Sequence, residues 1–437
     1  MAFDPKDIIK EIKDQYLFDE NKRPWIVGFS GGKDSTMLLQ LVWYTLKDIP
    51  AELRTRKIYV VCNNTLVENP KIIEYVDGVL NKIQKSAHEQ SMPVVVKRTT
   101  PILEDTFWVN LIGKGYPAPN NVFRWCTERL KISPTTQFIL EKVNETGEVI
   151  LLLGTRSDES SNRAKNLKKR EVKGQRLRKH MLPNAYVYAP IKDVKTDDLW
   201  QYLAQVKSPW GASNKELITL YKNANSGDCP LVIDKTTPSC GNSRFGCWVC
   251  TVVKRDKSME ALIENGEEWM EPLMELRDFL AASRDDETAR EKRRRNGTIK
   301  EGIMGPYKPN FRAKFLRMLL EAQIEIQENQ PEMNLINYQE LVAIQVLWHR
   351  DNIFTHNVAD IYHKVYGTSI TLESSDERII REKNLLKDAC KGNDGEFKLI
   401  NELLALQKTK TILMNKRGLQ NDLENRLQQF VQEKTIT

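Results

Sequence analysis

Short apolar runs alternate with helically spaced apolar residues over the first half of the chain. The pattern predicts strands at Trp25–Phe29, Lys57–Cys62, Met92–Val96, Glu148–Leu153 and Tyr186–Tyr188. After the first strand, apolar residues recur at the spacing of a helix at Met37, Leu38, Leu41, Val42 and Leu46. Strands that alternate with helices form mostly parallel sheets covered on both faces. The predicted fold class is therefore α/β, with a doubly wound, mostly parallel sheet.

The pattern changes twice along the chain and predicts three parts. Residues 1–207 carry the alternating strands and helices, and residues 208–256 are rich in Gly, Pro and Cys. Residues 257–437 have helical periodicity, with helices predicted at Met259–Leu280, Phe311–Gln327, Tyr338–Trp348 and Leu399–Glu433. We expect an α/β domain, a loop-rich segment that needs an inorganic group to order it, and a helical C-terminal region.

The turn between the first strand and its helix is the strongest candidate for chemistry. It reads Ser30, Gly31, Gly32, Lys33, Asp34, Ser35. A strand–turn–helix unit points backbone N–H groups and the positive end of a helix at an anion, and glycines let a phosphate approach the backbone. The adjacent glycines differ from a Walker A loop, in which four residues separate Gly from Gly-Lys. This turn is predicted to bind phosphate.

A second polar segment follows the fourth predicted strand. Gly154, Thr155 and Arg156 would lie at the same edge of a parallel sheet as the Ser30–Ser35 turn, where Arg156 could bind a phosphate. The alternative is a surface turn in which Arg156 pairs with Asp158 and Glu159. The apolar residues of 191–205 predict a short helix, and we interpret its role as packing rather than chemistry.

Positive charge is concentrated in one segment. The chain has a formal net charge of +7, and Arg163–Lys179 holds nine Lys or Arg residues and one acid, Glu171. Such a segment predicts a polyanionic partner, and the alternative is a solvated surface loop. No apolar run has the length of a membrane span and the N-terminus has no signal pattern, so we expect a cytoplasmic protein.

Four of the seven cysteines fall between residues 229 and 250. Cys240, Cys247 and Cys250 come from one loop, and Cys126 is the expected fourth partner through folding. Four thiolates suit either a structural zinc or a [4Fe–4S] cluster, and a single C-x2-C pair favours iron–sulfur. Cys229 is an alternative fourth ligand or a sulfur-carrying thiol, and a redox C-x-x-C would leave Cys240 unexplained. Cys62, on a strand, is predicted to be a buried apolar residue.

These motifs resemble a known family. The Ser30–Ser35 turn resembles the PP-loop, SGGxDS, of ATP pyrophosphatases. Together with Trp125–Thr127, Gly154–Arg156, Gly227–Val232 and Pro238–Thr251, it is similar to DndC, the PAPS-reductase-like ATP pyrophosphatase of bacterial DNA phosphorothioation, and to its counterpart SspD. The resemblance covers about residues 20–310.

The resemblance implies cofactors, partners and roles. It implies a [4Fe–4S] cluster, cleavage of ATP to AMP and pyrophosphate, and replacement of a non-bridging oxygen of a DNA phosphate by sulfur. A cysteine desulfurase would donate the sulfur, alongside other phosphorothioation-system proteins. Asp34 is then the candidate Mg²⁺ ligand, and Arg156, with Arg163, the candidate phosphate cation.

Two other classes of function fit part of the sequence. One is a PAPS reductase or a tRNA thiolase of the same superfamily. A reductase of a small substrate would not need the basic segment, and Cys390, the last cysteine, lies far from the C-terminus. The other is a nucleic-acid-binding scaffold held together by a cluster or zinc, against which the PP-loop argues.

Overall fold

The computed structural model describes most of the chain in two compact units. The described residues are 3–18, 22–159, 161–170, 174–223, 246–294, 298–299, 302–351, 353–368, 385–387, 389–390, 393–412 and 427. The first unit comprises residues 1–101 and 119–277, and the second comprises 102–118 and 278–437. None of the helices in the described ranges is both long enough and apolar enough to cross a bilayer.

The first unit is built on a six-stranded sheet. Its strands are β1 (Trp25–Gly28), β2 (Ile58–Asn63), β3 (Val94–Thr99), β4 (Val149–Leu152), β5 (Arg178–Lys179) and β6 (Ala185–Tyr188). They are ordered β3-β2-β1-β4-β6-β5, and every pair is parallel except β5 with β6. The strand order reverses around β1, and such a reversal opens a crevice at the carboxyl ends of the strands. The predicted doubly wound, mostly parallel sheet is confirmed.

Helices of the first unit cover the sheet and follow its strands. They are α1 (Lys6–Leu17), α2 (Lys33–Lys47), α3 (Pro70–Glu89), α4 (Trp125–Thr127), α5 (Ser133–Thr146), α6 (Ser161–Arg170), α7 (Thr196–Gln205), α8 (Asn214–Asn223) and α9 (Lys257–Glu264). A π-helical turn at Glu128–Ile132 joins α4 to α5. Helix α10 (Glu271–Ser283) begins in the first unit and ends in the second.

Alternate residues of the central strands enter two different cores. Trp25 and Val27 of β1 pack in the larger core with α1, α2, α3, α7 and α8, whereas Ile26 packs in the smaller core with α5. In β4, Ile150 and Leu152 belong to the larger core and Leu151 to the smaller. Burial on both faces explains why these strands are almost continuously apolar in sequence.

The second unit is helical and includes a segment from the first half of the chain. Its helices are α11 (Pro309–Asn329), α12 (Tyr338–Arg350), α13 (Val358–Tyr366) and α14 (Asp394–Ile412). The apolar π-helical turn Val109–Gly113 lies among them, because the Ile112 carbonyl accepts hydrogen bonds from Arg312 Nε at 2.6 Å and Trp348 Nε1 at 2.9 Å. Trp108 Nε1 donates to the Leu335 carbonyl at 2.6 Å. Residues 102–118 are thus part of this helical core.

Several predicted boundaries differ from the observed ones. The third strand was expected at Met92–Val96 and lies at Val94–Thr99. The helix expected at Met259–Leu280 is two helices, because Gly266, with a φ of +103°, lies between α9 and α10. The last predicted helix, Leu399–Glu433, is described only as far as Ile412. The three-part division at 207 and 256 stays a prediction, and the two units divide the chain at other positions.

Burial of one carboxyl in the second unit predicts a pH-dependent stability. Burial raises the pKa of Glu340 from 4.5 to about 7, although the Asn337 N–H and the Thr106 hydroxyl favour the charged form. The folded state therefore binds a proton more tightly, and stability falls as pH rises from about 4.5 to about 7, by about 3 kcal/mol.

Glu340→Gln should remove this dependence and keep the side-chain oxygen that accepts the Asn337 N–H at 3.1 Å. The free energy of unfolding, measured by denaturant titration at pH 5 and pH 7.5, should fall with pH in the native chain and fall less in the variant. Equal falls in both proteins would show that Glu340 does not titrate in this range.

Candidate functional site

The loop between β1 and α2 has a backbone conformation at its centre that strongly favours glycine. Gly31 has a φ of +75°, in the left-handed region. A Cβ placed on Gly31 would lie 2.5 Å from Val76 Cγ2. Gly32 precedes α2 in an extended conformation, and α2 begins at Lys33. The predicted strand–turn–helix geometry of Ser30–Ser35 is therefore present, with the helix N-terminus at the loop.

Hydroxyl groups surround this loop. Ser35 Oγ accepts a hydrogen bond from the Ser30 N–H at 3.2 Å and donates to the Gly32 carbonyl at 3.0 Å. Two other hydroxyls, Thr36 Oγ1 and Thr155 Oγ1, are buried without a hydrogen-bond partner among the described residues. A buried hydroxyl without a partner is costly unless a ligand satisfies it. The hydroxyls and the glycine turn fit a bound phosphate.

Arg156 is held inside the site rather than projecting into it. It is fully buried, and its Nε donates to Asp34 Oδ1 at 2.6 Å. Its Nη1 donates to the Val194 carbonyl at 2.9 Å and to Thr196 Oγ1 at 3.3 Å. Through these contacts the Arg156 guanidinium holds the Asp34 carboxylate in place. The role of Arg156 as a phosphate cation stays a prediction, and the observed contacts give it a positioning role.

Asp34 is shared between two cations. Its other oxygen, Oδ2, lies 3.3 Å from Lys33 Nζ. Lys33 is itself buried, with its ammonium 5.2 Å from the centre of the Tyr221 ring and its N–H 3.4 Å from the Tyr221 hydroxyl. Each carboxylate oxygen can accept more than one bond, so Asp34 retains acceptor capacity toward a metal ion.

Gly154 allows β4 and α2 to approach each other closely. A Cβ on Gly154 would lie 2.9 Å from the Asp34 carbonyl oxygen and 3.2 Å from Ser35 N. These are backbone atoms and cannot move aside as a flexible side chain can. The absence of a side chain at Gly154 therefore fixes the spacing between the two predicted phosphate-binding segments.

A cavity of about 320 Å³ opens at the carboxyl ends of β1, β2 and β4. Its lining includes Gly28, Ser30, Asn63, Glu68, Lys131 and Gly246. Cys62 also lines it and is buried, as predicted, and burial raises the pKa of its thiol to about 11. The cavity connects the glycine loop to the polar groups that follow β2 and precede α5.

The loop that carries Cys247 and Cys250 is paired with the chain beyond β2. Trp248 N donates to the Val67 carbonyl at 3.0 Å, Asn69 N donates to the Gly246 carbonyl at 3.1 Å, and Glu68 forms a bridge with Cys247. Cys250 N donates to the Cys247 carbonyl at 3.1 Å, which closes a tight turn. This pairing holds Gly246–Trp248 at the edge of the cavity.

Lys131 interacts electrostatically with three of the predicted ligand thiols. The thiolate forms of Cys247, Cys126 and Cys250 and the carboxylate of Glu68 raise the pKa of Lys131, with Cys247 the largest influence, whereas burial of Lys131 lowers it. Burial raises the pKa of Cys247 to about 11, although Lys131 and a hydrogen bond with Thr65 act in the opposite direction. Burial and the neighbouring Cys250 also raise the pKa of Cys126. One ammonium is therefore the common electrostatic neighbour of all three thiols.

Part of the predicted site lies outside the described residues. Cys229 and Cys240 lie outside the described residues. Arg163 belongs to α6, but its side chain is not among those described. Within the described ranges, no three His, Cys, Asp or Glu side chains lie close enough together to hold a metal ion. Soft thiolates are the donor type that iron–sulfur clusters use, so the described thiols fit such a cluster in type, and the ligand set stays a prediction.

Sequence analysis missed several residues of the site. Thr196 was interpreted as part of a packing helix, yet its hydroxyl lies 3.3 Å from Arg156 Nη1 and donates to Asp158 Oδ2 at 2.6 Å. No sequence pattern indicated that Glu68 or Tyr221 belongs to the site, because residues far apart in the chain bring them there. Lys131 was not missed: with Arg124 and Arg129, the sequence predicts it as a cation near Cys126 that favours the thiolate and helps to bind an anion.

One comparison with known proteins shows the family of this chain. The model of the phosphoadenosine phosphosulfate reductase domain matches residues 24–253, more than half of the 437-residue chain. An uncharacterized protein of Methanocaldococcus jannaschii is 29% identical over 249 residues, which is 57% of this chain. The match spans 40% of the length of that relative.

Three solved structures show a distant similarity to part of this chain. The first is a PAPS reductase from Candida auris in a phosphate complex, with 9% identity and a TM-score of 0.28 over 51% of this chain and 95% of that one. The second is an FMN adenylyltransferase from Candida glabrata with FAD and inorganic pyrophosphate, with 12% identity and a TM-score of 0.27 over 46% of this chain and 59% of that one. The third is the U34-tRNA thiolase NcsA from Methanococcus maripaludis with its [4Fe-4S] cluster, with 18% identity and a TM-score of 0.26 over 51% of this chain and 74% of that one. Similarity at this level says nothing about the substrate of this chain.

The family match covers β1 to β6, the glycine loop, the cavity and the Cys247–Cys250 turn, so the whole described site lies inside it. On that match, the chain belongs to the phosphoadenosine phosphosulfate reductase domain family.

Proposed function

We propose that this chain is an ATP pyrophosphatase and sulfurtransferase of the DndC type, which activates a DNA backbone phosphate and replaces a non-bridging oxygen with sulfur. One observation carries the proposal. A single cavity is lined by Ser30 of the glycine loop and by Lys131 and Gly246, which adjoin the thiols. A nucleotide and a sulfur-handling site that share one cavity suit a reaction in which ATP activates the atom that sulfur then attacks.

In this proposal the glycine loop binds the phosphates of ATP. Ser30–Ser35 supply backbone N–H and hydroxyl donors, and the buried Thr155 hydroxyl is a further donor beside Gly154. Asp34 binds Mg²⁺ through its remaining lone pairs, while Arg156 and Lys33 hold its orientation. Arg163, at the start of the basic helix α6, is a further candidate for a phosphate cation.

The reaction would have three displacement steps, two at phosphorus and one at sulfur. A non-bridging oxygen of the DNA phosphate attacks the α-phosphorus of ATP, and pyrophosphate leaves. The terminal sulfur of a persulfide, supplied by a cysteine desulfurase, then attacks the DNA phosphorus, and AMP leaves with the original oxygen. A second thiol, which becomes part of a disulfide, breaks the remaining S–S bond and leaves sulfur on the DNA. Other phosphorothioation-system proteins would select the DNA site.

The thiols would hold the cofactor of the reaction. Cys126, Cys240, Cys247 and Cys250 are the proposed ligands of a [4Fe–4S] cluster, which when bound would supply a site for sulfur chemistry. Lys131, the neighbour of three of these thiols, would attract an anionic group toward them. We propose a cytoplasmic location, which suits the use of ATP and of free thiols.

The basic helix α6 predicts a salt-dependent affinity for DNA. Lys168 and Lys169 are exposed on α6, which follows the Gly154–Arg156 segment along the chain. Changing both to glutamine should weaken DNA binding and lower the salt slope of log affinity by about 0.9 per lost phosphate contact. The matched control changes Lys6 and Lys85, whose side chains are 85% and 78% exposed. Equal slopes in both double variants would mean that α6 is only a solvated helix.

The proposed function is tested with the purified full chain, Mg²⁺, ATP, DNA, a cysteine desulfurase and cysteine under anaerobic conditions. We expect AMP and pyrophosphate, and sulfur in the nucleotides released from the DNA by nucleases, detected by mass spectrometry. Asp34→Asn should abolish both. Sulfur in tRNA but not in DNA would indicate a tRNA thiolase, sulfite production from PAPS would indicate a reductase, and a chain that never cleaves ATP would indicate a binding scaffold.

A further inference from the structure

Arg277 of α10 lies beyond the family match and contacts the loop that carries the thiols. The family match ends at residue 253, and Arg277 is 2% exposed. Its guanidinium donates to three backbone carbonyls of that loop. The Cys250 carbonyl accepts from Nε at 3.1 Å, the Lys254 carbonyl accepts from Nη1 at 3.0 Å, and the Val253 carbonyl accepts from Nη2.

The two cysteines of the turn are held in different ways. Gly246 and Trp248, the neighbours of Cys247, pair with Asn69 and Val67. On the other side of the turn, residues 251–255 belong to no helix or strand. There the carbonyls of Cys250, Val253 and Lys254 converge on one guanidinium.

A second contact links this loop to the chain before Cys126. The Thr251 hydroxyl, which is buried, donates to the Pro119 carbonyl at 2.6 Å. Cys126 lies seven residues after Pro119, and its thiol interacts electrostatically with that of Cys250. The position of Cys250 relative to Cys126 therefore depends on contacts C-terminal to Cys250.

We infer that Arg277 is a positioning residue that fixes Cys250 against Cys126, so that the thiol site requires α10 and is not complete within the cysteine-rich segment. A guanidinium suits this task because its planar fork presents several N–H donors in fixed directions and is always charged. Lysine would keep the charge and lose the fork. The inference concerns the thiols alone and does not depend on which substrate receives sulfur.

The test compares Arg277→Met, Arg277→Lys and, as a control, Arg255→Met in the full chain. Arg255 lies in the same loop, is 75% exposed and pairs with Glu260 at 2.9 Å. Each reduced, metal-free protein is treated with iodoacetamide, and alkylation of each cysteine is followed by fragment-ion mass spectrometry. Arg277→Met should speed alkylation of Cys250 by at least about tenfold, because it removes three charge-assisted hydrogen bonds, and the one to the Cys250 carbonyl alone accounts for about this factor. Arg277→Lys should have a smaller effect, and Arg255→Met none.

The other thiols separate positioning from general unfolding. Cys247 should change less than Cys250, because its neighbours remain paired with residues 67–69, and the buried Cys62 should not change. A uniform increase at all three cysteines, or no increase at Cys250, would overturn the inference. If Arg277→Met does not fold, Arg277→Lys gives the same comparison.

Iron content provides a second measurement on anaerobically purified protein. Arg277→Met should retain less iron than Arg255→Met, while both bind ATP as the native chain does. Selective exposure of Cys250 in a chain that holds no iron would support the positioning role and reject the proposed cluster. Iron retained in full by Arg277→Met, with Cys250 unchanged, would reject the positioning role and leave the cluster in place.

Discussion

Gly154→Ala should reduce ATP cleavage by at least about 100-fold, the effect expected when reacting groups are misplaced by about 1 Å. The added Cβ would meet the Asp34 carbonyl oxygen at 2.9 Å and its carbonyl carbon at 3.0 Å. Both are backbone atoms at the start of α2. The end of β4 must then move away from the glycine loop, which separates Thr155 and Arg156 from Asp34. Pyrophosphate release from ATP, with Mg²⁺ in excess, measures the loss.

The matched control is Gly78→Ala. Gly78 lies within α3, and a Cβ there would meet no atom within 4 Å. Alanine has a higher helix propensity than glycine, so this variant should be no less stable than the native chain. It should also cleave ATP normally. Circular dichroism should show that both variants keep their helices. Normal pyrophosphate release by Gly154→Ala would mean that the close approach of β4 and α2 does not matter for the reaction.

Loss of any one proposed ligand should remove the cluster. Cys126→Ala, Cys240→Ala, Cys247→Ala and Cys250→Ala should each lower iron from about four atoms per chain to less than about one, because a [4Fe–4S] cluster needs four thiolates. Sulfur transfer should disappear with the iron. ATP binding should change less, because the glycine loop depends on β1 and α2. Iron and acid-labile sulfide, measured after anaerobic purification, check this expectation.

Two cysteines serve as controls for the ligand set. Cys390→Ala removes a buried thiol of the second unit and should keep all iron. Cys229→Ala tests the alternative ligand. If it loses iron while Cys126→Ala retains it, Cys229 takes the fourth place. One zinc per native chain, with no iron, would reject the cluster and favour a structural metal site.

The alternating pattern was enough to predict the sheet and its phosphate-binding turn. β1 and β4 are apolar on both faces, and such runs fit the centre of a parallel sheet. Gly31 and Gly32 between a strand and a helix predicted the turn, because its conformation depends on residues adjacent in sequence. Such local features can be predicted from the sequence, because they do not depend on contacts with distant residues.

The roles of individual side chains in the site depended on distant contacts. Arg156 follows a strand, as a phosphate-binding arginine would, but Asp34 and Thr196 surround its guanidinium. Those partners come from two other elements, so the pairing has no signature in the local sequence. The same is true of Arg277, whose three carbonyl partners lie more than twenty residues before it.

The sequence by itself determined the α/β class, the glycine turn and the grouping of cysteines, because each is written in residue type and spacing over a few positions. Only the tertiary structure decided that residues 102–118 join the helical unit and that Lys131 interacts electrostatically with three thiols rather than with Cys126 alone. An apolar segment such as Val109–Gly113 can be buried in any core that has room for it. Its place is fixed by complementary groups from far along the chain, here Arg312 and Trp348 on the Ile112 carbonyl, and spacing in the sequence carries no record of them.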